Sequence, residues 1–232
     1  MRLLVLLTNF GDPFLTAPLA VAVSSWLAAT GRRRAALYWA IGFACAVGLV
    51  ASTKFVYAGW GIGIAAWRFT GVSGHTMLGA AVYPLVAAIC VRDAHVRRAL
   101  AAGLAFALAI GISRVLLGFH SWSEIVSGWL LGAGVAMSTA SRLRRAGARA
   151  GDAHAGAVHS MSMRADRNTH VYVDAVAARR AAGVSRSTIA FIAAACTIAL
   201  SCYGRSAPVS AWISHAAPKI AEWSRVWLDD TR

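Results

Sequence analysis

The hydrophobic pattern of the chain is a series of long apolar runs separated by short polar connections. A helix that spans a bilayer needs about 20 largely apolar residues. Runs of nearly that length predict an all-α, polytopic membrane helix bundle with about six transmembrane helices, at residues 14–30, 35–57, 75–91, 99–117, 124–140 and 188–203. The fifth run contains Gly128, Gly132 and Gly134, and small residues of this kind favour close approach between membrane helices.

Arginine is concentrated in alternate connections. Three arginines follow the first predicted span, three lie between the third and fourth, and nine lie between the fifth and sixth. Lys and Arg collect in cytoplasmic connections, so we predict that these three face the cytoplasm. Both termini and the connections 58–74 and 118–123 are then expected to face outward. The predicted protein is a multi-pass protein of a bacterial-type inner (plasma) membrane.

The pattern also predicts how the chain is divided. Residues 1–141 form a membrane core with the first five spans, 142–187 a basic cytoplasmic loop, 188–204 the sixth span and 205–232 an extracytoplasmic tail. The loop has little apolar periodicity, which indicates a mobile segment or at most one helix at 171–182. The tail contains Trp212, Trp223 and Trp227, which suit either an interfacial amphipathic helix or a simple aromatic anchor.

The first residues resemble the start of a signal peptide, because Arg2 is followed by five apolar residues. Asn9, Asp12 and Pro13 interrupt that run before it reaches the length of a signal sequence. We interpret the segment as retained.

Composition narrows the class of protein further. A hydrophobic content of 58%, a charged content of 14% and a mean hydropathy of +0.59 are not those of a soluble domain. The net charge of +14 is explained by the cytoplasmic arginine clusters, so no nucleic-acid partner is expected. The cysteines lie in apolar stretches without CxxC spacing or a nearby histidine cluster, so no metal site is expected; they are Cys45, Cys90, Cys196 and Cys202.

Ionisable and polar side chains collect on the predicted outward face. Charge in or beside a spanning segment is costly and calls for a reason. Taken singly, each residue has an ordinary explanation, such as a lysine that reaches toward the interface or a histidine with a structural role. Their convergence on one face favours a shared site, made of Lys54, Arg68, Ser73, His75, Arg114, His120 and Glu124.

The cationic members suit a tetrahedral oxyanion. Lys54, Arg68 and Arg114 offer positive charge, and the guanidinium groups offer paired donors. Ser73 and Gly74 lead directly into a predicted helix, whose first N–H groups and dipole also favour an anion. The arrangement predicts a phosphate-binding site.

Two histidines supply possible reactive groups. One imidazole can attack phosphorus while the other protonates the leaving oxygen. His120 and Glu124 are four residues apart, so they share a helical face if the helix begins at or before His120. The carboxylate would then hold one ring nitrogen and select the tautomer.

These residues resemble those of the lipid phosphate phosphatases in the type 2 phosphatidate phosphatase superfamily. The family pattern is Lys, six spacers, Arg-Pro; then Pro-Ser-Gly-His; then Ser-Arg, five spacers, His, three spacers, Asp. The chain has Lys54, then Ser73-Gly74-His75, then Ser113-Arg114, five spacers, His120, three spacers and Glu124. The resemblance covers roughly residues 52–130.

The resemblance implies a six-helix membrane core and dephosphorylation through a phosphohistidine, without a metal or another cofactor. His120 would be the nucleophile, His75 the acid for the leaving group and Glu124 the residue that orients His120. The phosphate would be bound by Lys54, Ser73, Gly74 and Arg114.

Three positions depart from the family pattern. Val72 replaces a proline that shapes a turn, and Glu124 replaces aspartate with retention of charge. Gly61 and Ile62 occupy the positions of the Arg-Pro pair, so one phosphate-binding arginine is missing from its place. Arg68 is the predicted substitute, because it lies in the same connection five residues before Ser73; the alternative is a loop or headgroup contact.

The sequence thus predicts an integral-membrane phosphatase with an extracytoplasmic site and a membrane lipid phosphate as partner. Undecaprenyl pyrophosphate and phosphatidic acid both suit it, and a phosphotransferase is a close variant. The alternative is a non-catalytic lipid-phosphate-binding or transport protein, which the missing Arg-Pro pair favours. Halide-oxidising relatives that hold vanadate are typically soluble, so the spans argue against that activity. No oligomeric state is predicted.

Overall fold

The computed structural model describes residues 1–91, 93–162 and 185–230, and its regular elements are helices. An isolated bridge between Ile64 and Phe69 is the one extended pairing in this part of the chain. The predicted all-α class is confirmed. The α-helices are α1 (Arg2–Asn9), α2 (Pro13–Ala29), α3 (Arg33–Trp60), α4 (Gly74–Cys90), α5 (Val96–Leu116), α6 (Trp122–Ser162), α7 (Arg186–Cys202) and α8 (Val209–Asp230), with short 3-10 turns at Ala65–Trp67 and Asp93–His95.

Several of these helices suit a bilayer. Three helical stretches in the described residues are long and apolar enough to cross a membrane, namely Arg2–Ala29, which joins α1 and α2, Arg33–Trp60 and Val96–Leu116. Helices α4 and α7 are apolar but shorter, at 17 residues each. At 1.5 Å per residue such a helix is about 26 Å long, close to the ~30 Å hydrocarbon core. The chain is therefore a helical membrane protein.

Helix α6 is longer than the sequence pattern predicts. It continues for 41 residues to Ser162, so the helix extends past the predicted end of the fifth span at residue 140 and into the segment predicted as a cytoplasmic loop. The extension is rich in Ala and Arg, which are good helix formers even where no apolar periodicity is present. The helix suggested for residues 171–182 lies outside the described residues.

Helix α4 lies at the centre of the bundle, where it packs against α2, α3, α5 and α6. Glycine allows α6 to approach it closely, because a Cβ on Gly128 would lie 2.6 Å from the Ser73 carbonyl oxygen and one on Gly132 would overlap the Met77 carbonyl oxygen. Gly134 faces open space. The expected close approach therefore applies to Gly128 and Gly132, and it brings the start of α4 against α6.

The C-terminal tail is helical and packs along the C-terminal half of α3. Ala217 and Ala221 are buried, and both lie against Gly59. Trp212 and Trp223 remain exposed. The sequence predicted either an interfacial helix or an aromatic anchor at the membrane surface, and that location stays a prediction. The contact of this segment with α3 was not predicted.

The two ends of the bundle differ in chemistry. At one end Arg32, Arg97 and Arg144 line a common cavity of about 750 Å³. These arginines come from the three connections that the charge pattern assigned to one side. His75, His120 and Glu124 lie at the opposite end of the bundle. They are beside the C-terminal halves of α3 and α5 and the N-termini of α4 and α6.

Candidate active site

The His120–Glu124 pair lies at the start of α6. His120 Nδ1 is 2.7 Å from Glu124 Oε2, and the same oxygen accepts a hydrogen bond of 3.1 Å from the Ser121 backbone N–H. The helix begins at Trp122, so His120 precedes it and the two residues do not share a helical face, although the expected contact between their side chains forms. Instead Glu124 folds back toward Ser121 as in a capping box, and this places its carboxylate on the imidazole.

The second oxygen of Glu124 is held by Thr70. Glu124 Oε1 accepts hydrogen bonds of 2.7 Å from the Thr70 N–H and 2.5 Å from its hydroxyl group. The same connection reaches α6 twice more, since Ser123 Oγ donates to the Trp67 carbonyl at 2.8 Å and the Ser73 N–H donates to the Glu124 carbonyl at 3.0 Å. Both carboxylate oxygens are therefore fixed in a side chain that is only 3% exposed.

The start of α4 brings a second histidine and free backbone donors. Ser73 precedes the helix and is fully buried, and its hydroxyl lies 3.0 Å from that of Thr76. The first N–H groups of a helix have no partner within it, and here they belong to Gly74, His75 and Thr76. His75 is close enough to Arg114, Lys54 and His120 for their charges to act on it.

Two cations complete the group. Arg114 near the end of α5 has its Cζ 4.4 Å from the centroid of the Phe119 ring, and its Nε is buried without a hydrogen-bond partner among the described residues. Lys54 projects from α3 beneath Gly71, whose Cβ, if present, would lie 3.2 Å from Lys54 Cγ. A buried guanidinium nitrogen without a partner is costly, and a bound anion would satisfy it.

Burial lowers the pKa of His120, and the hydrogen bond that the imidazole donates to Glu124 opposes this shift only in part. The imidazole is therefore neutral near pH 7, with its remaining proton on the nitrogen that faces the carboxylate. Nε2 then carries a free lone pair, as a nucleophile requires.

The comparison with protein families agrees with this geometry. Residues 52–147 match the model of the PAP2 superfamily. This part of the chain is similar to PAP2 superfamily domains, and we refer to it as the PAP2 domain on account of that likeness. It contains Lys54 and the motif residues through Glu124, whereas α1, α2, α7 and α8 lie outside it.

One similar protein is described as an uncharacterized 22.5 kDa protein in the cps region of Klebsiella pneumoniae. It is 33% identical over 132 residues, and the alignment covers 55% of this chain and 63% of the relative. The chain thus spans less than two thirds of that relative. No solved structure matches the chain.

The structure places Gly61 and Ile62, which stand at the positions of the missing Arg-Pro pair, in the exposed connection after α3. Helix α3 ends at Trp60, Gly61 adopts a left-handed conformation with φ of 67°, and both residues are exposed. Arg68 is also exposed, with φ of 49°, and its side chain forms no hydrogen bond or ion pair among the described residues. Its role in binding phosphate stays a prediction.

Two residues that contact the site were not found from the sequence. Thr70 holds Glu124 from 54 positions away, and no local pattern marks it. Asp12 lies 3.9 Å from His75 and comes from outside the PAP2 domain. The Asp12-Pro13 pair is a recognisable helix start, but its position beside His75 depends on tertiary packing.

Proposed function

We propose that the protein is an integral-membrane phosphatase that removes phosphate from a lipid through a phosphohistidine at His120. The observation that carries the proposal is the 2.7 Å contact between His120 Nδ1 and Glu124. It directs Nε2 away from the carboxylate, in a domain where Lys54 and the unpaired Nε of Arg114 are available for a phosphate. These are the groups that phosphoryl transfer to an imidazole needs.

In the first step, the lone pair of His120 Nε2 forms a bond to phosphorus as the bond from phosphorus to the leaving oxygen breaks. His75 transfers a proton to that oxygen, so the lipid product departs as an alcohol, or as a monophosphate when the substrate is a pyrophosphate. Lys54, Arg114 and the first N–H groups of α4 stabilise negative charge on the phosphoryl oxygens. Glu124 balances the positive charge that develops on His120.

In the second step, water attacks phosphorus and the bond to His120 Nε2 breaks, with its electron pair returning to the imidazole. The neutral His75 produced by the first step accepts the proton from water. Inorganic phosphate leaves, and both histidines recover their starting states. With an acceptor alcohol in place of water, the same steps would transfer the phosphoryl group.

A lipid substrate is supported by the surface around His120. Trp67, Phe119 and Trp122 are each more than half exposed, and all three belong to the segments that hold Glu124 or Arg114. Aromatic side chains of this kind favour the headgroup level of a membrane. In this proposal the phosphate enters at that level on the extracytoplasmic face of a bacterial-type inner membrane, while the hydrocarbon chain stays in the bilayer.

The test is phosphate release from a panel of lipid phosphates by the purified protein in detergent, with and without a chelator. Phosphatidic acid and undecaprenyl pyrophosphate are suitable members. Turnover should persist in the chelator, since no step uses a metal. His120→Ala should abolish it, whereas His215→Ala, which truncates an exposed histidine on α8, should leave it intact. Substrate binding without turnover by the unaltered protein would instead support the non-catalytic alternative, and labelled acceptor lipid separates transfer from hydrolysis.

A further inference from the structure

The corner between α1 and α2 lies directly on His75. A Cβ on Gly11 would lie 2.8 Å from both His75 Cβ and Ile110 Cγ2. Any residue with a Cβ at position 11 would therefore clash with His75 and Ile110. The next residue, Asp12, is thereby brought to the site although it precedes the PAP2 domain by 40 residues.

The corner is held firmly in place. The Tyr83 hydroxyl group donates a hydrogen bond of 2.5 Å to the Phe10 carbonyl. The Phe10 ring also contacts the rings of Tyr83, Phe106 and Tyr203, with centroid separations of 4.7 to 6.5 Å. The packing of the bundle therefore fixes the position of Asp12.

The two carboxylate oxygens of Asp12 have different surroundings. Oδ1 accepts hydrogen bonds from the N–H groups of Phe14 at 2.7 Å and Ala207 at 3.0 Å. Oδ2 has no hydrogen-bond partner among the described residues and lies 3.9 Å from His75 Nε2. That distance is an ion-pair contact but is too long for a hydrogen bond, so a small side-chain rotation or one bridging water would connect the groups.

Among the described residues, Asp12 is the carboxylate within ion-pair distance of His75, and its charge also acts on Arg114. Lys54 from α3, Arg114 from α5 and His120 from the α5–α6 connection also act on this imidazole, and the two permanent cations oppose a positive charge there. The carboxylate of Glu124 is already bonded to His120, Ser121 and Thr70. Asp12 is therefore the group that can balance a protonated His75.

We propose that Asp12 is a positioning residue that holds His75 through Nε2 and favours its protonated form, leaving the Nδ1 proton for the leaving oxygen. This inference rests on the proposed phosphatase function. When His75 gives up the Nδ1 proton, it keeps the proton on Nε2, where Asp12 holds it. The two histidines of the site are then each oriented by a carboxylate, one from inside the PAP2 domain and one from outside it.

The test compares two substrates with different needs for an acid. An alkyl lipid phosphate releases a basic alkoxide and requires a proton, whereas p-nitrophenyl phosphate releases a stable phenolate. Asp12→Asn keeps an oxygen for the two backbone N–H groups but removes the charge. It should lower kcat/KM for the lipid phosphate about 100-fold, the scale of general acid catalysis, and change kcat/KM for p-nitrophenyl phosphate by less than about 5-fold. The alkaline limb of the lipid phosphate pH profile should move to lower pH.

Two further variants serve as controls. Glu222→Gln makes the same chemical change at an exposed position on α8 and should leave both substrates unaffected. Asp12→Ser keeps one capping oxygen and should reproduce the substrate-dependent loss. Equal losses on both substrates in Asp12→Asn, or no loss on either, would overturn the role of Asp12. If the unaltered protein turns over neither substrate, the proposed function fails, and this inference falls with it.

Discussion

Glu124 is the residue on which the geometry of the nucleophile depends most directly. Its side chain accepts four hydrogen bonds, two from Thr70 and one each from His120 and Ser121. These hydrogen bonds therefore hold the carboxylate in place before substrate binds. Its charge is available to stabilise His120 as the imidazole becomes cationic. The longer side chain, compared with the aspartate of the family, reaches His120 from a helix that begins only at Trp122.

Glu124→Gln should reduce kcat/KM by up to about 10,000-fold, the loss found when the orienting acid of a catalytic triad is replaced by its amide. The amide N–H₂ would face His120 Nδ1 and select the tautomer whose lone pair points away from phosphorus. Glu124→Asp is the matched control, because it keeps the charge and restores the family residue, and it should retain most of the activity. Steady-state kinetics with a lipid phosphate make the comparison. An active Glu124→Gln variant would contradict the orienting role.

The pH dependence follows from the lowered pKa of His120, whose cause is burial. In the proposed mechanism the neutral imidazole is the nucleophile, so activity should be present above this pKa and lost as the pH falls through it. The acid limb of kcat/KM should have its midpoint below the ordinary histidine value of about 6.5. Glu124 stabilises the protonated form, so its removal should move the residual activity of Glu124→Gln to still lower pH. An acid limb above 6.5 would be inconsistent with a buried nucleophile.

The site residues fall into two groups, according to how far in sequence each residue lies from the residue that it contacts. His120, Glu124 and the Ser73 to His75 segment were predictable because their spacing is local and places them at helix starts. Thr70 and Asp12 were not, because they meet their partners across 54 and 63 positions. Arg68 was expected in the site from proximity in sequence; it lies exposed with a left-handed backbone, and its role in binding phosphate stays a prediction.

At the scale of elements, the packing of α6 on α4 brings the two histidines together. The contact depends on Gly128 and Gly132, where the backbone of α4 occupies the space of a Cβ. Gly134 lies on the same helix with nothing within 4 Å. The chain therefore contains a matched pair of helical glycines that differ in packing.

Gly132→Ala should lower the thermal stability of the protein in detergent and reduce activity, because the added methyl group would overlap the Met77 carbonyl and force α6 away from α4. Gly134→Ala should leave stability unchanged or raise it by up to about 1 kcal/mol, the difference in helix propensity. A thermal unfolding assay on both variants makes the comparison. Equal effects at the two positions would show that the close approach is not required.

Helix positions were largely predictable, but their extensions and partners were not. Apolar runs located α3, α4, α5 and α7 within a few residues, because a spanning helix must be apolar throughout. The extension of α6 beyond residue 140 is polar and gave no such signal. The packing of α8 on α3 likewise depends on Gly59, Ala217 and Ala221, small residues whose contact becomes apparent only in three dimensions.

At the scale of the whole molecule, separation of charge between the two ends predicts how the protein lies in the membrane. Arginines from three connections surround one cavity at one end of the bundle. His75 and His120 lie at the opposite end. The positive-inside rule places the arginines in the cytoplasm. The site then opens on the extracytoplasmic side.

Cysteine labelling in intact cells tests this orientation. In a background without Cys45, Cys90, Cys196 and Cys202, Ala66→Cys in the connection beside the site should react with a membrane-impermeant maleimide. Arg33→Cys at the start of α3 should react only after the membrane is permeabilised. Both positions are exposed, so a difference reports the side of the membrane. The reverse pattern would place the site in the cytoplasm.

The central claim is that His120 carries the phosphoryl group during turnover, and rapid acid-free quenching with a ³²P-labelled lipid phosphate tests it most directly. Phosphohistidine is stable in base, so the labelled protein can be digested and the modified peptide identified by mass spectrometry. The account predicts label on the peptide that contains His120, with none in His120→Ala and normal labelling in His215→Ala. Label on another residue, or continued turnover by His120→Ala, would contradict it.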